Sequence, residues 1–177
     1  MANGALSQGQ YLIAASEDSF YVRVVGLATM MNCVPLQDVL DDVRRRGVRR
    51  FIFDLEGCSG FDSTFMGILV GMARGGHDGS VLSGDGEADG TSVFLVNVAP
   101  AHSKLLAGVG VDRMVRLHPG PVRLPENGLE KLAEGPVDPV RRVRSMVGAH
   151  ENLVRLGGPN VEKFGAMLDA LKRELGG

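Results

Sequence analysis

The chain has 177 residues, a formal charge of −2, 44% hydrophobic residues, 23% charged residues and two cysteines. That is enough for one packed domain with an appendage, and the near-neutral balance gives no electrostatic footprint for nucleic acid or an anionic membrane surface. Cys33 and Cys58 form no CxxC and read as reduced thiols, no apolar run reaches spanning length, and the N-terminal MANGALSQGQ lacks the basic region and apolar core of a signal peptide, so the default expectation is a cytoplasmic protein.

QYLIAA (10–15) and FYVRVVG (20–26) are short aliphatic and aromatic runs separated by SEDS, the pattern of a β-hairpin. The period then changes. In NCVPLQDVLDDVRRRG (32–47), Leu36, Val39, Leu40 and Val43 fall at i, i+3, i+4 and i+7, which predicts one helical face. Pro35 suits a first turn, Asp38, Asp41 and Asp42 precede Arg44, Arg45 and Arg46 in the order the helix dipole favours, and Gly47 stops the helix. RRFIFDLEG (49–57) is a buried-type strand and STFMGILVGMAR (63–74) a helix; the Gly/Asp/Ser-rich stretch 75–90 is loop. SVFLVNV (92–98), APAHSKLLAGVG (99–110) and MVRLH (114–118) continue as strand, helix and strand. The alternation predicts an α/β fold with a mixed, mostly parallel sheet that begins in an antiparallel hairpin.

After residue 118 the chain turns Pro/Gly-rich, with a helical turn weighed at ENGLEKLA, and then two amphipathic helices are expected over 138–156 and 160–175. The organisation read from this is a domain over 1–118, a linker over 119–136 and a helical extension over 137–177. The extension's apolar stripes include Val140, Val143, Met146, Val147, Phe164, Met167, Leu168 and Leu171, and they need a cover. Docking on the chain's own sheet domain is favoured over pairing across a homodimer, because the sheet needs covering after its last strand.

Catalytic motifs fail on inspection. GCSG (57–60) lacks the G-x-S-x-G spacing of a nucleophile elbow, and the glycines of GMARGGHDG and GVGVDR stand at helix ends rather than at a strand-to-helix phosphate loop. His77, His102, His118 and His150 are scattered, form no metal-ligand spacing and read as surface or linker histidines. No cofactor is called for, and an enzyme ranks third among the function classes.

The informative stretch is FDSTFMG (61–67), where a strand hands over to a helix. At about 100° per residue, Phe65, Ile68, Leu69 and Met72 share one side of that helix, and Ser63, Met66, Gly67, Val70 and Arg74 the other. The first side faces a core, while the second is too apolar for solvent. A structural account makes Asp62 or Ser63 the helix cap, lets Gly67 and Gly71 permit close packing, and puts Met66 and Val70 under the C-terminal helices.

FDLEGCSGFDSTFMG, with the following loop and FLVNVAPAHSKLLAGVGVDRMVRL, resembles the STAS domain of bacterial anti-sigma-factor antagonists. The match lies in the strand ending Asp-Leu, the spacing, Asp62, Ser63, Thr64 and Gly67, and in the element order across roughly residues 10–118. Phe65-Met66 stands where that family has Gly-Leu, and two helices follow the last strand where the family has one. The resemblance implies a non-catalytic regulatory protein. A serine kinase that doubles as an anti-sigma factor phosphorylates the residue corresponding to Ser63, a phosphatase resets it, and the unphosphorylated form binds the kinase. On that reading Ser63 is the phosphoacceptor, with Thr64 as backup. Asp62 is the helix-start carboxylate, and Asp54 at the strand end either orients the turn or faces water. Met66, Gly67, Val70 and Arg74 form the partner face. The rival from another class is a phosphorylation-independent scaffold acting through the C-terminal helices in a signalling or transport complex.

Overall fold

A computed structural model of the chain describes residues 9–75, 90–124 and 126–176. The loop expected at 75–90, and His77 within it, falls for 76–89 outside the described residues. Among the described residues the elements run β1 (Gln10–Ala15), β2 (Ser19–Ala28), α1 (Cys33–Arg45), β3 (Arg50–Asp54), β4 (Cys58–Phe61), α2 (Ser63–Ala73), β5 (Ser92–Val96), α3 (Pro100–Gly108), a 3₁₀ turn (Val111–Arg113), β6 (Arg116–Leu117), β7 (Glu130–Lys131), α4 (Pro139–Arg155) and α5 (Pro159–Gly176).

The sheet order is β6-β5-β3-β2-β1-β7, with β4 pairing β2 off this path. β1 and β2 form the antiparallel hairpin, and β2, β3, β5 and β6 are parallel to one another. This is the mixed, mostly parallel α/β architecture the element pattern predicts. β-Branched and aromatic side chains alternate through it, so that Phe20, Val22, Val24, Phe51, Phe53, Val93 and Leu95 are buried. Phe51 stacks edge-on against Phe20, and Phe53 against Phe65 of α2.

Two strands escape the sequence pattern. β4 is CSGF, a segment to which the sequence pattern assigns no strand. It pairs the far end of β2 in parallel after a register shift between Gly26 and Leu27, where Gly26 has a left-handed φ of 77°. β7 stands where the sequence suggests a helical turn at ENGLEKLA. Its two residues pair with Leu12 and Ile13, so β1 is not the bare outer edge that the hairpin implied.

The passage after β6 is held at two places. The Asn97 side chain, on a residue with φ 55°, donates to the Val122 carbonyl and accepts from the Val122 N–H, both at 2.8 Å. Further on, the Leu132 N–H donates to the Tyr11 carbonyl at 2.8 Å.

In α1 the predicted face is inward, Leu36 and Leu40 fully and Val39 and Val43 partly. Arg44 and Arg45 occupy the last turn as the dipole reading expects, but no acid stands in the first turn. Asp38 instead pairs with Arg141 of α4 through both oxygens at 2.7 Å, and Asp42 pairs with Arg46 at 2.8 Å.

The C-terminal helices pack in cis. α4 lies along α2, and α5 packs principally on α4. Met146, Phe164, Leu168 and Leu171 are buried as expected, whereas Val143 and Val147 are half-buried and Val140 is 48% exposed. The face of α4 turned inward is Ser145, Met146, Ala149, His150, Asn152 and Leu153.

Candidate functional site

Asp62 ends the extended segment after β4 with φ −104° and ψ −179°, the backbone an N-cap adopts. One carboxylate oxygen accepts the Phe65 N–H at 3.1 Å, and the other accepts the Met30 N–H at 2.8 Å. Asp62 thus caps α2 and ties its first turn to the loop between β2 and α1. Ser63 is the first residue of α2, and its hydroxyl is not needed as a cap.

The Ser63 hydroxyl meets a side chain from the far end of the sequence. Its Oγ lies 2.9 Å from Nε2 of His150, while Nδ1 of that ring lies 2.7 Å from the Met146 carbonyl. A carbonyl only accepts, so Nδ1 carries the hydrogen; in the neutral ring Nε2 is then the acceptor and Ser63 the donor. His150 is 0% exposed, and the Phe164 ring of α5 packs edge-on at 5.7 Å. The expectation of a surface or linker histidine is therefore corrected for His150, and likewise for His102, which is buried with its ring 4.9 Å from that of Phe61. His150 sits on the α4 stripe four residues after Met146, a position that should have marked it as inward-facing.

The expected open partner face is also corrected. Met66 and Val70 are buried. Gly67 lies so close to α4 that a Cβ there would run into the Ala149 carbonyl and stand 2.7 Å from the Ala149 Cα. The amide of Asn152 donates to the Gly67 carbonyl at 3.1 Å, and Arg74, at the end of α2, donates to the Arg155 carbonyl at 3.3 Å. Burial, then the nearby charge of Arg155, lowers the Arg74 pKa. Of the two accounts of this face, packing beneath the C-terminal helices is the one found, because glycine on α2 and alanine on α4 let the two backbones approach.

Thr64 is 2% exposed and turned into the protein, so it offers no second accessible hydroxyl beside Ser63. Asp54 does not face water. It is 0% exposed and pairs with Arg23 Nε at 3.0 Å. It also accepts from Asn97 Nδ2 at 2.8 Å and from the Glu56 N–H at 3.1 Å. Those contacts fasten the turn after β3 to β2 and to the end of β5, a buried charge with its partners supplied. Exposed apolar groups nearby went unread in the sequence: Met30, whose N–H Asp62 holds, and Met31, 57% exposed.

A serine donating to an oriented histidine is the pairing a nucleophilic hydrolase uses, but here α4 covers it. The two cavities described, about 280 and about 340 Å³, are lined elsewhere, by Tyr11, Asn32, Pro35 and Leu132 in one case and by Arg49, Arg50 and Arg116 in the other. Among the described residues no group of three or more His, Cys, Asp or Glu could hold a metal, and no helix is long and apolar enough to cross a membrane.

No family model matches the chain, and no curated protein matches it. Among solved structures it is similar to an anti-sigma factor antagonist from Mycobacterium paratuberculosis, at 18% sequence identity and a TM-score of 0.49, over 64% of this chain and 87% of that one.

Proposed function

We propose that this chain is a phosphorylation-switched regulatory binding protein of the STAS type, with Ser63 as its phosphoacceptor. The observation that carries the reading is the division of labour at the start of α2. Asp62 does the capping, so the Ser63 hydroxyl at the first helical position is not committed to the helix and bonds to His150 instead. Free N–H groups and the dipole at a helix N-terminus favour an added phosphate there. A phosphate would bring about −1.5 to −2 charge beside the Asp62 carboxylate, so a docked partner would have to desolvate both. By resemblance the partners are a serine kinase that also holds a sigma factor, and a phosphatase. Met30 and Met31 give such a partner an exposed apolar foothold next to Asp62.

The rival reading, a scaffold that needs no phosphate, is favoured by one observation: α4 fills the α2 face that a partner would use. Phosphate mapping by mass spectrometry on the chain purified from its native cells, across growth phases, separates the two. Phosphate on Ser63 that disappears in Ser63→Ala is the expected result. A chain never phosphorylated at Ser63, yet recovered with the same partner throughout, would establish the scaffold.

A further inference from the structure

We infer that α4 is a cis-acting cap on Ser63, and that a phosphate on Ser63 and docked α4 exclude one another. The inference rests on the phosphoacceptor reading above and adds the device that would gate it. The hydroxyl a kinase must reach is bonded to the fully buried His150. A phosphoryl group carries three further oxygens, and they would occupy the space the imidazole fills. The ring has no retreat within its helix, because Nδ1 is held by the Met146 carbonyl and Phe164 closes the other side. The close approach of Gly67 and Ala149 leaves α4 no room to move inward, so space for a phosphoryl group on Ser63 comes only from α4 moving away from α2. The cap must leave as a unit.

α4 is joined to α2 and α1 by polar links, His150 to Ser63, Asn152 to the Gly67 carbonyl, Ser145 to Gln37 at 2.6 Å and Arg141 to Asp38, and it buries Met146, Ala149 and Leu153, apolar cover that its release would give up. The strands complete their ladder without it. Linkage then runs both ways. Docked α4 lowers the rate of phosphorylation to that of the undocked fraction, and phosphate holds α4 off. Release uncovers Met66, Gly67 and Val70, so the modified chain would display a face that the unmodified chain hides.

The test needs no kinase. Phosphoserine is placed at position 63 of the full chain during translation, and amide hydrogen exchange is compared with the unmodified chain. The expected result is exchange in residues 139–155 faster by about tenfold or more, with β3 and β5 as protected as before. Gly67→Ala, which pushes α4 away without adding charge, should give the same pattern. Unchanged protection of 139–155 in the phosphoserine chain would overturn the inference. Loss of protection in β3 and β5 together with α4 would overturn it too, because α4 would then be unable to leave without unfolding the sheet. Failure to find phosphate in native cells sinks the phosphoacceptor reading instead, and the exchange result does not depend on it.

Discussion

The two sides of α2 are buried to similar depth by different means. Toward the sheet, Phe65, Ile68, Leu69 and Met72 are large apolar groups, and Phe65 touches both Phe53 and Phe61. Toward α4 the helix offers Ser63, Met66, Gly67 and Val70, and the contact combines buried apolar groups, Met66 and Val70 with Ala149 and Leu153, with close backbone approach and hydrogen bonds. The sheet side gains its stability from area removed from water, roughly 25 cal/mol per Å² of apolar surface. The α4 side adds hydrogen bonds to its apolar burial, each netting only about 1 kcal/mol once exchanged with water. One side makes the fold, and the other makes a joint that a local chemical change can open.

The largest expected effect comes from the sheet side. Phe65→Ala should cost about 3–5 kcal/mol, read as a lower urea midpoint with loss of all structure together. A cost near 1 kcal/mol would mean that this side is not the core. On the α4 side, Gly67→Ala should cost less, about 1–3 kcal/mol, and its loss should be confined to the C-terminal helices, with strand signal in circular dichroism retained. A global unfolding of equal size from both substitutions would erase the distinction.

The smallest effect uses pH to probe the contact between α1 and β1, where Tyr11 meets Cys33. Burial raises the Cys33 thiol to about 12, with the Tyr11 hydroxyl opposing and the Asp62 charge adding to the rise. The unfolded thiol ionises near 9.0, so the stability tied to keeping Cys33 neutral is complete below that pH and is lost as pH climbs toward 12. Tyr11 is raised in the same sense, by burial first and then by Cys33. Cys33→Ala should therefore flatten part of the alkaline fall in melting temperature, by an amount of order 1 kcal/mol near pH ~9.5, and leave the rest to Tyr11. An identical alkaline profile in the variant would show that Cys33 ionises as freely folded as unfolded.

Long regular elements were legible because their signals are local. The aliphatic runs of β1, β2, β3 and β5 and the i, i+3, i+4 spacing in α1 each lie within a dozen residues, and Asp62 before Ser63 marks a helix start in the sequence alone. What was missed is tertiary. β4 is written CSGF, which has little strand propensity, and becomes a strand because β2 bulges to receive it. β7 is two charged residues that only the β1 edge makes into a strand. The inward side of α4 is rotated away from Val140, Val143, Val147 and Val154, because close approach to Gly67 selects Ala149 and brings His150 over Ser63. That pair is separated by 87 positions, and no periodicity links its members.

The two fastenings in the passage before α4 shorten the tether on which it swings. The last is the Leu132 N–H on the Tyr11 carbonyl, so only residues 133–138 lie between that anchor and the start of α4. Extended at about 3.3–3.6 Å per residue, they span roughly 20 Å, which confines a detached α4 to the neighbourhood of its seat. Short tethers of this kind correspond to effective concentrations in the millimolar range. A separate protein competing for the α2 face must therefore displace a resident helix that is never dilute, and a change that unseats the resident without adding charge, as Gly67→Ala should, raises the competitor's apparent affinity without touching the competitor.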